Sequence, residues 1–188
     1  MLRAVLLALV LLLTACSPGS VTPPPGTPAD PTDTSTRPRD IDISGLLPCD
    51  LLTPAQRAEL GLDGDPTPYT SRDALFGDAR SCNVRRFGGP SPVILSITLV
   101  VQHGIERFRE PGLAADVDPT EIVAFPAVLS PPRPSMPDNC LVAVDVHPGQ
   151  MVGVLLADGG GEPPVPLDQL CRDVPRYAEA VITTLISD

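Results

Sequence analysis

The 188-residue chain contains no lysine and no tryptophan, and only two histidines, four phenylalanines and two tyrosines. With so few rings, the sequence argues against a sugar-stacking platform and against an interface built on aromatic anchors. All 13 basic residues are arginine; with 23 Asp and Glu the net charge is −10. That balance argues against a nucleic-acid surface and against polybasic contact with anionic lipid headgroups. No apolar run approaches the roughly 20 residues that a membrane-spanning helix needs. His103 and His147 stand in no ligand or catalytic spacing and read as polar residues at element boundaries. The sequence also lacks a Gly-x-Ser-x-Gly elbow, a His-Glu-x-x-His helix and a phosphate-cradling loop.

What is present starts at the first residue. Met1-Leu2-Arg3 is a short positive start, and Ala4–Leu13 is a run of ten residues without a polar side-chain atom. That length fits the apolar core of a signal peptide. Leu13-Thr14-Ala15-Cys16 then resembles the lipobox of bacterial lipoproteins: a branched apolar residue, two small ones, then cysteine. The resemblance implies removal of a signal peptide over residues 1–15, with diacylglycerol on the thiol of Cys16. An ordinary signal peptide cut after Ala15 is the plainer reading. Two or more acyl chains on Cys16 would anchor the chain stably on the outer face of the cell membrane.

Residues 16–40 read as the lipidated cysteine and its tether. Pro18, Pro23, Pro24, Pro25, Pro28, Pro31 and Pro38 are mixed there with Ser, Thr, Gly and Asp, and Val21 is the only large apolar residue after Cys16. Such a composition cannot bury enough apolar surface to offset its ordering entropy, and a disordered, polyproline-like spacer is expected. Residues 41–188 are enough for one domain.

Cys16 accounts for the odd count of five cysteines. Cys49, Cys82, Cys140 and Cys171 remain to pair in an oxidising compartment, in one of three connectivities. The expected pairs are Cys49–Cys82 and Cys140–Cys171, each closing a loop of roughly thirty residues that joins a helix to a strand, and each contributing about 3–4 kcal/mol. A zinc site is the rival reading. No two of the four cysteines lie at a C-x2–4-C spacing, which disfavours it. The same gap disfavours redox chemistry of the C-x-x-C kind.

Within the domain, Thr53-Pro54-Ala55-Gln56 predicts a capped helix over 54–60. Strands are expected over 79–87, 92–102, 121–129, 140–147 and 151–157, with a short helix over 103–110. A final helix over Leu167–Ile186 carries an apolar stripe of Leu167, Leu170, Cys171, Val174, Ala178, Val181, Ile182 and Leu185. Pro175 falls inside it and is expected to kink or split it. The fold class is α+β: an antiparallel sheet of about five strands, with an N-terminal and a long C-terminal helix packed on it. Asp63-x-Asp65 and Asp116-x-Asp118 lack the rest of a calcium loop and read as turns. Gly159-Gly160-Gly161 reads as a flexible loop.

Pro48-Cys49-Asp50-Leu51-Leu52-Thr53-Pro54, followed by Leu60-Gly61, resembles the opening signature of a large family of actinobacterial lipoproteins catalogued as a domain of unknown function. Cys82, Cys140 and Cys171 follow in that family's order, so the resemblance covers residues 46–186. Val84 stands where the family often has tryptophan, and Phe125-Pro126 where it often has glycine. The resemblance implies an envelope location and brings no activity with it. Lysine-free, Ala/Pro/Arg-rich composition also suits a GC-rich actinobacterial genome.

The expected function is therefore a non-catalytic binding or interaction role in the cell envelope, for a monomer using a groove on the sheet or the ends of its strands. The expected partners are the membrane, through Cys16, and an envelope protein or small apolar ligand; no catalytic residue, cofactor, metal or nucleic acid is assigned. A hydrolase or redox enzyme with a dispersed active site is the alternative.

Overall fold

Local signals start the helices. Thr53 Oγ1 accepts the Gln56 N–H at 3.2 Å while Gln56 Oε1 accepts the Thr53 N–H at 2.8 Å, a reciprocal cap that opens α1 (Pro54–Glu59). Gly61, at φ +69°, lets the chain leave that helix in the left-handed region. A 3-10 turn (Pro48–Leu51) precedes it. The long C-terminal helix, α2 (Leu167–Ser187), buries seven side chains: Leu170, Val174, Tyr177, Ala178, Val181, Ile182 and Leu185. It is one helix, not split at Pro175. The reason is one of magnitude. An interior proline costs about 3 kcal/mol, whereas each large apolar side chain buried along that stripe contributes about 1.5–3 kcal/mol.

The strands are β1 (Thr67–Asp73), β2 (Gly77–Arg86), β3 (Val93–Val100), β4 (Asp118–Ile122), β5 (Phe125–Ser130), β6 (Asn139–His147) and β7 (Gln150–Asp158). They form one antiparallel sheet in the order β1-β2-β3-β7-β6-β5-β4. The coordinates are a computed structural model that describes residues 36–89, 91–111, 117–132 and 138–187. The expected signal peptide, Cys16 and the tether as far as residue 35 lie outside the described residues, as does Asp116.

The sheet has seven strands, not about five. Thr67–Asp73 pairs with β2 along its whole length, yet it is an edge strand with almost no buried side chain, so it carries no apolar alternation. The stretch 121–129 is not one strand: Val123 (φ +51°) and Ala124 (φ +65°) turn the chain, and β4 and β5 pair as a hairpin with Ile122 opposite Phe125. Both central residues take the positive φ of a type I′ turn without the Asn or Gly that usually supplies it. The short helix expected over 103–110 is a 3-10 turn, Ile105–Arg109.

Side chains alternate across the sheet with period two. On one face Val93, Leu95, Ile97 and Leu99 of β3 join Cys140, Val142, Val144 and Val146 of β6 and Val152, Val154 and Leu156 of β7 beneath α2. The 3-10 turn at 48–51 and Leu52, Leu60 and Leu62 complete that layer. Two disulfides tie the covering to the sheet: Cys49–Cys82 joins the 3-10 turn to β2, and Cys140–Cys171 joins β6 to α2. The second face carries a smaller cluster, in which Val100, Val128, Leu141, Ala143 and Met151 lie with Leu75, Phe76 and Phe108.

Candidate functional site

The two faces differ in how they are closed. On the second face, the β1–β2 hairpin supplies a lid of its own. Asp73 Oδ1 accepts the N–H groups of Leu75 and Phe76, both at 2.8 Å, and fixes a tight loop. That loop lays the Phe76 ring on β7, where a Cβ added to Gly153 would stand 2.8 Å from Phe76 Cζ. His103 Nε2 lies 2.9 Å from the Leu75 carbonyl, which also accepts from Arg107 Nε at 2.9 Å. His103 is thus a fastener of this lid. His147 Nδ1 lies 3.0 Å from the Pro148 carbonyl in the β6–β7 turn.

The lid packs over the end of β3 at Val100 and over β6 and β7 at Leu141, Ala143, Met151, Gly153 and Leu155. Beyond it, toward the β2–β3 turn, Tyr69, Arg85 and Phe87 are exposed, and Asn83, Ile94 and Ser96 are half-buried. Register places them together: Tyr69 is opposite Ser81, Asn83 opposite Ser96, and Arg85 opposite Ile94. Hydrogen bonds satisfy the polar groups between them. The Tyr69 hydroxyl donates to Ser96 Oγ at 3.3 Å, Ser96 donates to Asn83 Oδ1, and the buried hydroxyls of Ser81 and Thr98 pair at 2.9 Å.

Phe87 is 63% exposed and Tyr69 39%, while Phe76, Phe108, Phe125 and Tyr177 are buried. Two of the few rings therefore stand outward on one face. Phe87 is held firmly. Asp63 accepts the Phe87 N–H at 2.7 Å and the Gly88 N–H at 2.9 Å, and Gly64 N–H donates to the Arg85 carbonyl at 2.9 Å. The Phe87 N–H is the main reason the Asp63 carboxyl is held below the usual carboxylate range. The ring rests on Gly64, where an added Cβ would lie 3.1 Å from it. So Asp63 serves as a loop clamp, and Asp65 stays exposed beside it. Arg86 is occupied, donating to the Ser91 carbonyl at 3.0 Å and to the Tyr177 hydroxyl at 3.5 Å. Arg85 makes no ion pair and no side-chain hydrogen bond with the described residues.

The chain enters the domain at the opposite end of the sheet. Ile41 N–H donates to the Val146 carbonyl at 2.7 Å, beside the bulge between Asp145 and His147. Arg37 pairs with Asp145 and Asp40, and Arg39 donates to the Ile186 carbonyl at 2.6 Å. Burial pushes the Asp145 carboxyl up, and Glu106 and Asp40 add to this; Arg37 opposes it and does not prevail. Arg37 is itself raised: burial works against its charge, but its bonds to Asp40 and Asp145 outweigh that. Asp42 accepts from Gln150 Nε2, from the Ser44 N–H and from the Ser44 hydroxyl, which lowers it to about 2.

A hollow of about 350 Å³ lies at this end, between Pro38, Arg39, the Val123-Ala124 turn, Phe125 and Ile186. A second, of about 290 Å³, runs between α1 and α2 and includes Gln56, Glu59, Arg176 and Glu179. Gln56 offers little there, since its side chain already bonds Thr53, Ala180 and Thr184.

The other sequence features resolve structurally. Cys82 and Cys140 have no exposed surface. Gly159 and Gly161 are packed against Pro92, where added Cβ atoms would stand at 2.7 and 2.6 Å, so this run is a close-fitted corner rather than a free loop. Among the described residues no group of three His, Cys, Asp or Glu is placed to hold a metal ion, and no helix is long and apolar enough to cross a membrane. Sequence reasoning missed Tyr69, Arg85 and Phe87. The available signal was parity: Arg85 and Phe87 fall on the opposite alternation from Cys82 and Val84, which face the core.

These features define the chain as a disulfide-braced antiparallel-sheet domain, closed by helices on one face and half open on the other. The chain belongs to the family described as Protein of unknown function (DUF3558), whose model matches residues 11–184. No curated protein and no solved structure matches it.

Proposed function

We propose that this protein is an actinobacterial lipoprotein, held on the outer face of the cell membrane through Cys16. Its domain serves as a non-catalytic binding module, monomeric, for a protein of the envelope. The observation that carries the binding role is the outward placement of Tyr69, Arg85 and Phe87 on the open half of the sheet. Exposed rings with an arginine, on a backbone already fixed, are the composition of protein-binding anchors. Their position at the far end from Arg37 and Ile41 suits a domain tethered from its N-terminal side. Structural, fully buried disulfide sulfurs on the sheet favour bracing over redox exchange.

Two measurements test the proposal. Cys16→Ser should abolish labelling by fatty-acid probes; retained lipid would end the anchor reading. In living cells, cross-linking to envelope proteins should fall in Tyr69→Ala/Phe87→Ala and persist in His103→Ala/His147→Ala. Loss confined to the histidine variant, at equal surface level, would point to catalysis or metal binding instead.

A further inference from the structure

The open half-face carries more than a general capacity to bind. Arg85, near the end of β2, and Phe87, just past it, are two residues apart and both stand against Gly64, with their Cα atoms about 7 Å apart along the strand. The guanidinium has no partner among the described residues. The carboxylate of Asp63, in the loop that pairs with Arg85 through Gly64, is turned onto the Phe87 and Gly88 amides. An unpaired planar cation favours a carboxylate, which it can hold through two parallel hydrogen bonds. The ring, 63% exposed and resting on Gly64, offers an apolar contact that costs little ordering entropy, because the loop is already clamped. Ile94, opposite Arg85, extends the apolar ground beside it, and Tyr69 stands farther back on the same face, opposite Ser81.

A ligand that satisfies both groups at once must carry a carboxylate and a large apolar group at the same spacing. An extended peptide does so when Asp or Glu stands two residues from a large apolar residue, since alternate side chains of an extended strand share one face. Resting on the proposed binding role, we propose that the open half-face recognises an extended acidic segment of a partner protein, with the pattern Asp/Glu-x-apolar. The partner's carboxylate pairs with Arg85, and its apolar side chain lies against Phe87. In a chain of net charge −10, this site selects acidic ligands only through that one uncompensated guanidinium. Specificity therefore rests on Arg85, while adhesion rests on the rings.

The probe is a library of random peptides displayed on phage and selected against the immobilised full-length chain. Enriched peptides should share an acidic residue two positions from a large apolar one. Their synthetic forms should bind at least tenfold more weakly to Arg85→Glu and to Phe87→Ala. Exchanging the peptide's acid for arginine should restore binding to Arg85→Glu. Both substitutions are at exposed positions, and unchanged thermal melting checks that the fold is intact. Peptides that need Tyr69 and Phe87 yet carry no shared acid, or bind Arg85→Glu unchanged, would overturn the acidic pattern and leave the binding role standing. If no enriched peptide depends on this face, or the face instead drives dimerisation or adhesion to anionic vesicles, both readings fall.

Discussion

Substituting Gly153 with alanine should destabilise the domain through one contact. Gly153 lies in β7, between Thr98 of β3 and Ala143 of β6, and the Phe76 ring fills the space a side chain would occupy. The new Cβ would stand 2.8 Å from Cζ and 3.2 Å from Cε1 of that ring. The backbone that carries Phe76 is fixed, because its own N–H and that of Leu75 are held by Asp73, so the ring itself must turn out of its buried place to give room. Alanine in a strand interior gains about 0.5–1 kcal/mol over glycine, whereas overpacking a fitted site costs about 1–3 kcal/mol. The net expectation is a loss of about 1–2 kcal/mol, or a fall in the urea midpoint of about 0.5–1 M at a slope near 2 kcal/mol/M. Phe76→Ala alone should cost about 3–5 kcal/mol by emptying the lid. The decisive comparison is the double mutant: without the ring, Gly153→Ala should become neutral or stabilising by about 0.5–1 kcal/mol. If Gly153→Ala is neutral in the presence of Phe76, or equally harmful in its absence, the lid does not rest on β7 as described.

Removing the Cys140–Cys171 bridge by a double alanine substitution should cost about 3–4 kcal/mol in denaturant unfolding, because it frees a 31-residue separation in the unfolded chain. Replacing Val123-Ala124 by Asn-Gly should stabilise the domain by about 1 kcal/mol, since neither new residue is strained at positive φ; a lower melting temperature would refute the turn geometry. Asp42, lowered to about 2 from 3.8, contributes stability that is present above pH 3.8 and lost as the pH falls toward 2. Its NMR titration should show this, and Gln150→Ala should move it back up. Asp145 should titrate above the ordinary carboxylate range because of its burial, and Arg37→Ala should push it higher still.

Legibility in the sequence followed how much apolar pattern each segment carried. β3, β6 and β7 are core strands with alternating or continuous Val, Ile and Leu, and α2 keeps a helical stripe, so periodicity locates them. The cap at Thr53 and Gln56 is purely local and reads directly. β1 does not: Thr-Pro-Tyr-Thr-Ser-Arg-Asp is polar on both sides, because an edge strand over a hydroxyl-rich face has nothing apolar to bury. The β4–β5 turn hid in the run Ile-Val-Ala-Phe, where only backbone angles reveal the reversal. Pro175 does not split α2, because propensity is local while the burial that holds α2 together is tertiary. The open face was invisible for a different reason. Whether Phe87 is inside or outside depends on what stops short of it, namely the loop carrying Phe76, and no window around residue 87 contains that fact.

The two disulfides have a consequence in time as well as in space. Their loops, Cys49–Cys82 and Cys140–Cys171, follow one another without overlap, at separations of 33 and 31 residues. In a chain that reaches an oxidising compartment N-terminus first, Cys82 arrives when Cys49 is the only domain thiol available to it. Cys171 arrives when the first pair is already spent. Of the three connectivities open to four cysteines, this is the one in which order of arrival and order of bonding coincide. In such a chain the native set would be reached by oxidation alone, without reshuffling of a wrong bond by thiol exchange. Each closure would also fasten a covering layer to a separate strand, β2 first and β6 later, so the sheet would be clad progressively from one side to the other.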